Sequence, residues 1–268
     1  MDASLARGYA SHYLRSRQDI MRVIDWERGP RGGDALRVME QCARAKKPGR
    51  VLRRLAPVTR PVFHRTCVGA WTPQHKLVLA EAVAAGAETE VLDTRGRGAP
   101  LFRERALYMT NAFLHADRTE AQLCSITVSM ISHHAIQRLL QRDMAAPQML
   151  HHAAKDILAR ARTLGLMVEQ FRSALPETAA FVLPYESGAL AAVTMRVAPD
   201  PTTGRTEQRD VIAIRTCLAP HMLTPRHHAR MAGFDKACDW LETDHAAVRD
   251  WLVHNAVPWE LGTGDTVA

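Results

Sequence analysis

The chain has 268 residues, 47% of them hydrophobic and 24% charged, with a formal net charge of +7. That length and apolar content suffice for one large domain or two small ones and exclude a chain disordered as a whole. No apolar run is long enough for a membrane-spanning helix, and the start M-D-A-S-L-A-R lacks the apolar stretch of a secretory signal, so a cytoplasmic protein is expected.

Residues 3–26 read as a helix, with Leu5, Tyr9, Tyr13, Ile20, Val23 and Ile24 at helical spacing, and G-P-R-G-G at 29–33 breaks it. A second helix is expected from Asp34, as N-cap, to Ala45, ended by K-K-P-G, so residues 1–48 form a basic helical hairpin ahead of a domain at 49–268. Residues 1–60 hold 14 Lys or Arg against 6 Asp or Glu, a net of +8, and the remaining 21 basic and 22 acidic residues give −1. Such a front end suits RNA or DNA phosphates or an acidic protein partner, and serves equally as a solubilising surface. Its candidate nucleic-acid contacts are Arg15, Arg17, Arg22, Lys46, Lys47, Arg50, Arg53 and Arg54. Tyr9, Tyr13 and Trp26 can stack on bases, but residues at this helical spacing more often anchor the hairpin as core.

P-V-F-H-R-T-C-V at 61–68 has strand character. Thr72-Pro73 reads as a cap and first-turn proline, predicting a helix from Gln74 to Ala85 that stops at Gly86. A strand is expected at 88–94, then the turn R-G-R-G, which is too short for an RNA-binding tract. Residues 102–115 are compatible with strand or helix, whereas S-I-T-V-S within 121–130 favours a strand.

The most pointed stretch follows, Ile131 to Met144, with Ser132 as N-cap. Steps of about 100° per residue put His134, Arg138, Gln141 and Arg142 on one stripe and Ala135, Ile136, Leu139, Leu140 and Met144 on the other side. An imidazole with two guanidiniums can bind and protonate a phosphodiester. The same spacing describes an ordinary solvated helix face. After Pro147 a long helix is expected at 148–173, then three antiparallel strands at 179–185, 188–197 and 209–218, and C-terminal helices at 224–241 and 243–255. The fold class is therefore α+β, an antiparallel sheet packed on helices.

Cys42, Cys67, Cys124, Cys217 and Cys238 are odd in number and scattered, which fits a reducing compartment. There is no C-x-x-C, and the His133-His134, His151-His152 and His227-His228 doublets point their rings apart, so neither a metal nor a cofactor is expected. Cys67 near His64 and His75 is a thiol with a nearby base but no orienting third group. Dinucleotide, P-loop and serine-hydrolase signatures are missing.

The order from 130 to 218, a helix bearing H-A-x-x-R-x-x-x-R, a second helix and then antiparallel strands, resembles the small bacterial ribonuclease toxins of the RelE-like superfamily and their relatives. Matched residue by residue, His134, Arg138 and Arg142 fall on the helix pattern, while Tyr185 and Arg215 sit on strands that can face it. The resemblance implies RNA binding and a metal-independent endoribonuclease of toxin or defence type. In that reading the 2′-hydroxyl attacks the adjacent phosphate, His134 moves the proton, Arg138, Arg142 or Arg215 stabilise the developing charge, and Tyr185 assists. Tyr185 reads more readily as a turn residue before Gly188. Family members are much shorter, and the residues before 130 and the C-terminal helices are additional. The rival is a non-catalytic nucleic-acid-binding or protein-interaction adaptor of mobile-element origin.

Overall fold

A computed structural model describes residues 1–24, 44–51, 53, 65–72, 74–92, 100–116, 121–197 and 209–258. The helix expected from Asp34 to Ala45 falls almost wholly outside these residues, as do 25 and 26 of the first expected helix, which is described as α1, Ala3–Ile24. The chain divides into two compact units, one comprising 1–12, 88–106 and 128–268 and the other 13–87 and 107–127. The boundary expected between 48 and 49 lies inside the second.

In the second unit β1 (Arg65–Trp71) and β2 (Lys76–Leu92) pair antiparallel, with Thr66 opposite Ala80 and Val68 opposite Val78. This corrects the helix expected over 74–85. The reason is local. Thr72 Oγ1 accepts from the His75 backbone N–H at 2.9 Å, the bond that a helix N-cap would make, but here it closes a hairpin. Beyond the turn Glu81, Val83 and Ala85 are buried, and the pairing with β1 overrides the helix propensity of the alanines. The open choice at 102–115 resolves as strand β3, Pro100–Ala116, followed by β4, Ala121–Ser132.

In the first unit β4 leads into α2 (His133–Gln141) and α3 (Leu150–Gln170), then into β5 (Ala179–Tyr185), β6 (Gly188–Val197) and β7 (Arg209–Leu218). The three strands carry the bounds expected from sequence. Three short helices close the unit, α4 (Pro225–Met231), α5 (Phe234–Trp240) and α6 (His245–Asn255), with the short strand β8 (Val257–Pro258). The single helix expected over 224–241 is split, because Gly233 adopts φ +81 between α4 and α5, a left-handed conformation that stops a helix.

Strand order here is β4-β7-β6-β5-β8. All these pairs are antiparallel except β4 with β7, which is parallel, with Ser129, Met130 and Ile131 opposite Ile212, Ala213 and Ile214. The fold is α+β. Between β6 and β7 the register slips: Ala192 faces Ile214 but Ala191 faces Thr216, which leaves Arg215 as the extra residue of a bulge. Because paired residues share a face, Cys217 opposite Leu190 returns to the face that carries Ile212 and Ile214. On that face Ser129 Oγ donates to the Leu158 carbonyl of α3 at 2.9 Å, and Cys217 Sγ lies 3.6 Å from the Ala135 carbonyl of α2. The other face carries Val182, Ala189 and Leu218, packed against Met222, Leu223 and Met231.

The β5–β6 hairpin turns on Glu186 and Ser187, with Tyr185 opposite Gly188. Glu186 has φ +50, a conformation that costs a side-chain-bearing residue about 1–2 kcal/mol. At Gly188 an added Cβ would collide with the Leu218 carbonyl oxygen and approach Met144 Cε to 2.7 Å. Backbone cannot move aside cheaply, so Gly188→Ala should lower the free energy of unfolding in urea by about 2 kcal/mol or more. An unchanged midpoint would show that β6 and β7 are not held at this distance.

Candidate functional site

The sequence determines the site helix in three steps. Ser132, buried at the end of β4, accepts from the Ala135 backbone N–H at 3.1 Å and so caps α2. Its hydroxyl also lies 3.3 Å from the Arg215 carbonyl, tying the helix start to the bulge of β7. Ala135, Ile136, Leu139 and Leu140 are wholly buried, which fixes the rotation of the helix and turns the opposite stripe outward.

On that stripe His134 is exposed and Arg138 half-buried. Arg138 donates from Nε to His134 Nε2 at 3.3 Å and from Nη1 to Gln141 Oε1 at 2.8 Å. A guanidinium only donates, so in this contact Nε2 is the acceptor. Neighbouring His133, on the adjacent face, shares a hydrogen bond of 3.1 Å with Ser11 Oγ of α1, a structural use.

Arg142 follows as the C-cap of α2 and is half-buried. Its Nη1 is buried with no hydrogen-bond partner, and no carboxylate pairs with either Arg138 or Arg142 among the described residues. Burial first, and then the like charge of Arg138, pull the Arg142 guanidinium below its usual range, with Cys217 acting the other way. Cys217, wholly buried, has its thiol pushed up to about 12 by desolvation, against the pull of Arg142, and is therefore neutral.

The structure thus brings His134, Arg138 and Arg142 into one row and places the other two candidates elsewhere. Arg215 is the half-buried bulge residue, joined to the site through its carbonyl. Tyr185 is buried at the end of β5 and lines a cavity of about 360 Å³ with residues of α3 and α5, among them Asp156, Arg160, Phe234 and Asp235, and with no residue of α2. Burial, then Glu186 and Asp156, push its phenol up to about 12, so it is a hydrogen-bond donor and no proton donor near neutrality. Cys217, which no motif signalled, is the group felt by both Arg142 and Tyr185.

Of the N-terminal candidates, Arg15, Lys46, Lys47, Arg50 and Arg53 are exposed, and Arg53 Nε donates to the Gly49 carbonyl at 3.2 Å. Arg17 sits over the Tyr13 ring at 5.7 Å. Arg22 lies on α1, and Arg54 is outside the described residues. The described residues contain no cluster of three or more metal-ligating side chains and no helix long and apolar enough to cross a membrane. No family model, curated protein or solved structure matches the chain.

The buried thiol and phenol give a pH signature. Both groups are protonated in the fold with raised values, Cys217 from 9.0 and Tyr185 from 10.0 to about 12, so their contribution is complete below pH 9 and is lost as the unfolded chain ionises between pH 9 and 12. Urea midpoints should therefore fall across that window, and less steeply in Cys217→Ala. An identical fall in the variant would place the alkaline sensitivity in other groups.

Proposed function

We propose that the chain is a nucleic-acid-binding protein that takes a phosphate of an RNA or DNA backbone on the Arg138–Arg142 row of α2. The observation that supports this most is energetic: two guanidiniums stand a turn apart, one of them partly desolvated, with no carboxylate paired to either among the described residues. Repulsion and desolvation cost stability in the free protein, and an anion shared between the two removes that cost. Exposed Arg15, Lys46, Lys47 and Arg50 add a sequence-independent attraction.

Fluorescence anisotropy with a labelled single-stranded RNA and its DNA counterpart, over a salt series, tests the reading. Arg138→Ala and Arg142→Ala should each weaken binding uniformly across sequences and reduce the salt slope by about 1. Arg142→Lys should not restore wild-type binding, since an ammonium lacks the two-pronged fork. Slopes equal to wild type in both alanine variants would rule the row out as the phosphate site.

A second reading, metal-independent RNA cleavage of the kind implied by the RelE-like resemblance, is favoured by His134 standing 3.3 Å from Arg138. With a phosphate on the guanidinium, the imidazole stands beside it as the group to take the 2′-hydroxyl proton. His134→Ala should then slow cleavage of labelled RNA by about a hundredfold, with and without chelator, while the melting temperature stays near wild type because the side chain is exposed. Binding without cleavage by the wild-type chain would leave the adaptor role.

A further inference from the structure

The cavity at Tyr185 is built differently from the α2 row. Its walls come from α3, the β5–β6 turn and α5. The Tyr185 ring is buried, with 5% of the residue exposed, yet its hydroxyl makes no hydrogen bond among the described residues and is not one of the solvent-inaccessible polar atoms, so it opens into the cavity. An otherwise buried phenol that leaves its polar end unpaired in a recess marks a place for a ligand atom.

The charges around it select the sign of that ligand. Arg160 is held by Asp235 at 3.3 Å, and Arg162 has a partner of its own. Asp156 is shared with His152 at 3.3 Å. Glu186 alone among the charged lining residues has no hydrogen bond or ion pair among the described residues, and it occupies the strained position at φ +50 where glycine is the unstrained choice. A carboxylate at this strained position, beside Tyr185 and with Phe234 in the same wall, presents one negative charge unpaired among the described residues, one hydroxyl and two aromatic rings.

We propose that this cavity binds an alkylammonium group, with Glu186 as its counter-ion, the Tyr185 hydroxyl as acceptor of one N–H, and the Tyr185 and Phe234 rings covering its methylenes. An ammonium satisfies carboxylate, hydroxyl and ring together, which a phosphate or a neutral alcohol does not. The site is independent of the nucleic-acid reading: it uses no residue of α2 and has the opposite charge preference.

Isothermal titration calorimetry of the full chain with spermidine, putrescine and Nα-acetyl-lysine amide tests it, with inorganic phosphate as the control ligand. Saturable one-site binding of an amine is expected, and Glu186→Gln should weaken it about tenfold or more and Tyr185→Phe about threefold to tenfold, as loss of a charged and a neutral hydrogen-bond partner do. Glu242→Gln, an exposed carboxylate that is not among the lining residues, and Arg138→Ala should leave it unchanged. Glu186 is exposed, so its variant decides the matter even if Tyr185→Phe melts early. Binding of the polyamines but not the lysine amide assigns a free amine, and the reverse assigns a lysine side chain of a partner. The proposal is overturned if no amine binds saturably, if phosphate binds equally well, if Glu186→Gln has no effect, or if Glu242→Gln weakens binding as much.

Discussion

The pairing of β6 with β7, with its one extra residue at Arg215, is the constraint from which the arrangement of the first unit follows. A regular ladder would put Cys217 on the face opposite Ile212, since side chains alternate along a strand. The bulge reverses that parity after Ile214, so Cys217 comes to lie beneath α2 while Leu218 joins Val182 and Ala189 on the other face. The Ser132 hydroxyl bonds the carbonyl of the bulge residue and caps α2 in the same place, so the irregularity of the strand also sets where the helix starts. From there the buried residues Ala135, Ile136, Leu139 and Leu140 leave the polar stripe one orientation.

The strands over 179–218 were legible because their signals are local and agree: β-branched and small apolar runs, a two-residue hairpin before Gly188, and a break where A-P-D-P-T-T-G begins. Thr72-Pro73 misled for an equally physical reason. A hydroxyl accepting from the N–H three residues on is common to a helix cap and to this hairpin turn, and an alanine-rich segment does not reveal whether a neighbouring strand will claim its backbone. Gly233 was visible in the sequence as a glycine but not as a left-handed one, so the helix over 224–241 was read through it. The bulge at Arg215 carries no glycine or proline and left no trace in the pattern.

The candidate site shows the same division. The stripe of His134, Arg138 and Arg142 is a property of helical periodicity and was readable in one dimension. Whether Tyr185 joins it depends on which elements pack beside the end of β5, and those are α3 and α5, joined by the Arg160–Asp235 pair across 75 positions of sequence. No spacing rule encodes such a contact. The N-terminal charge excess was likewise plain as a count, but α1 buries Ala6, Ala10 and Leu14 at 0–1% exposure, so this helix contributes to packing as well as charge. Point substitution of its exposed cations, rather than deletion of the segment, is the perturbation that separates the two roles.

Cys217 and Arg142 together set the electrostatic balance beneath α2. A thiolate beneath the helix would neutralise the guanidinium from inside, and the attraction of Arg142 does work in that direction, but desolvation outweighs it and keeps the thiol protonated. The same burial disfavours the charged form of Arg142, and Arg138 one turn away disfavours it further. An arginine does not relieve such stress by losing its proton near neutrality, because its ordinary value lies too far above that range. Among the described residues no carboxylate supplies the compensation, so the strain on Arg142 stays in the fold as described.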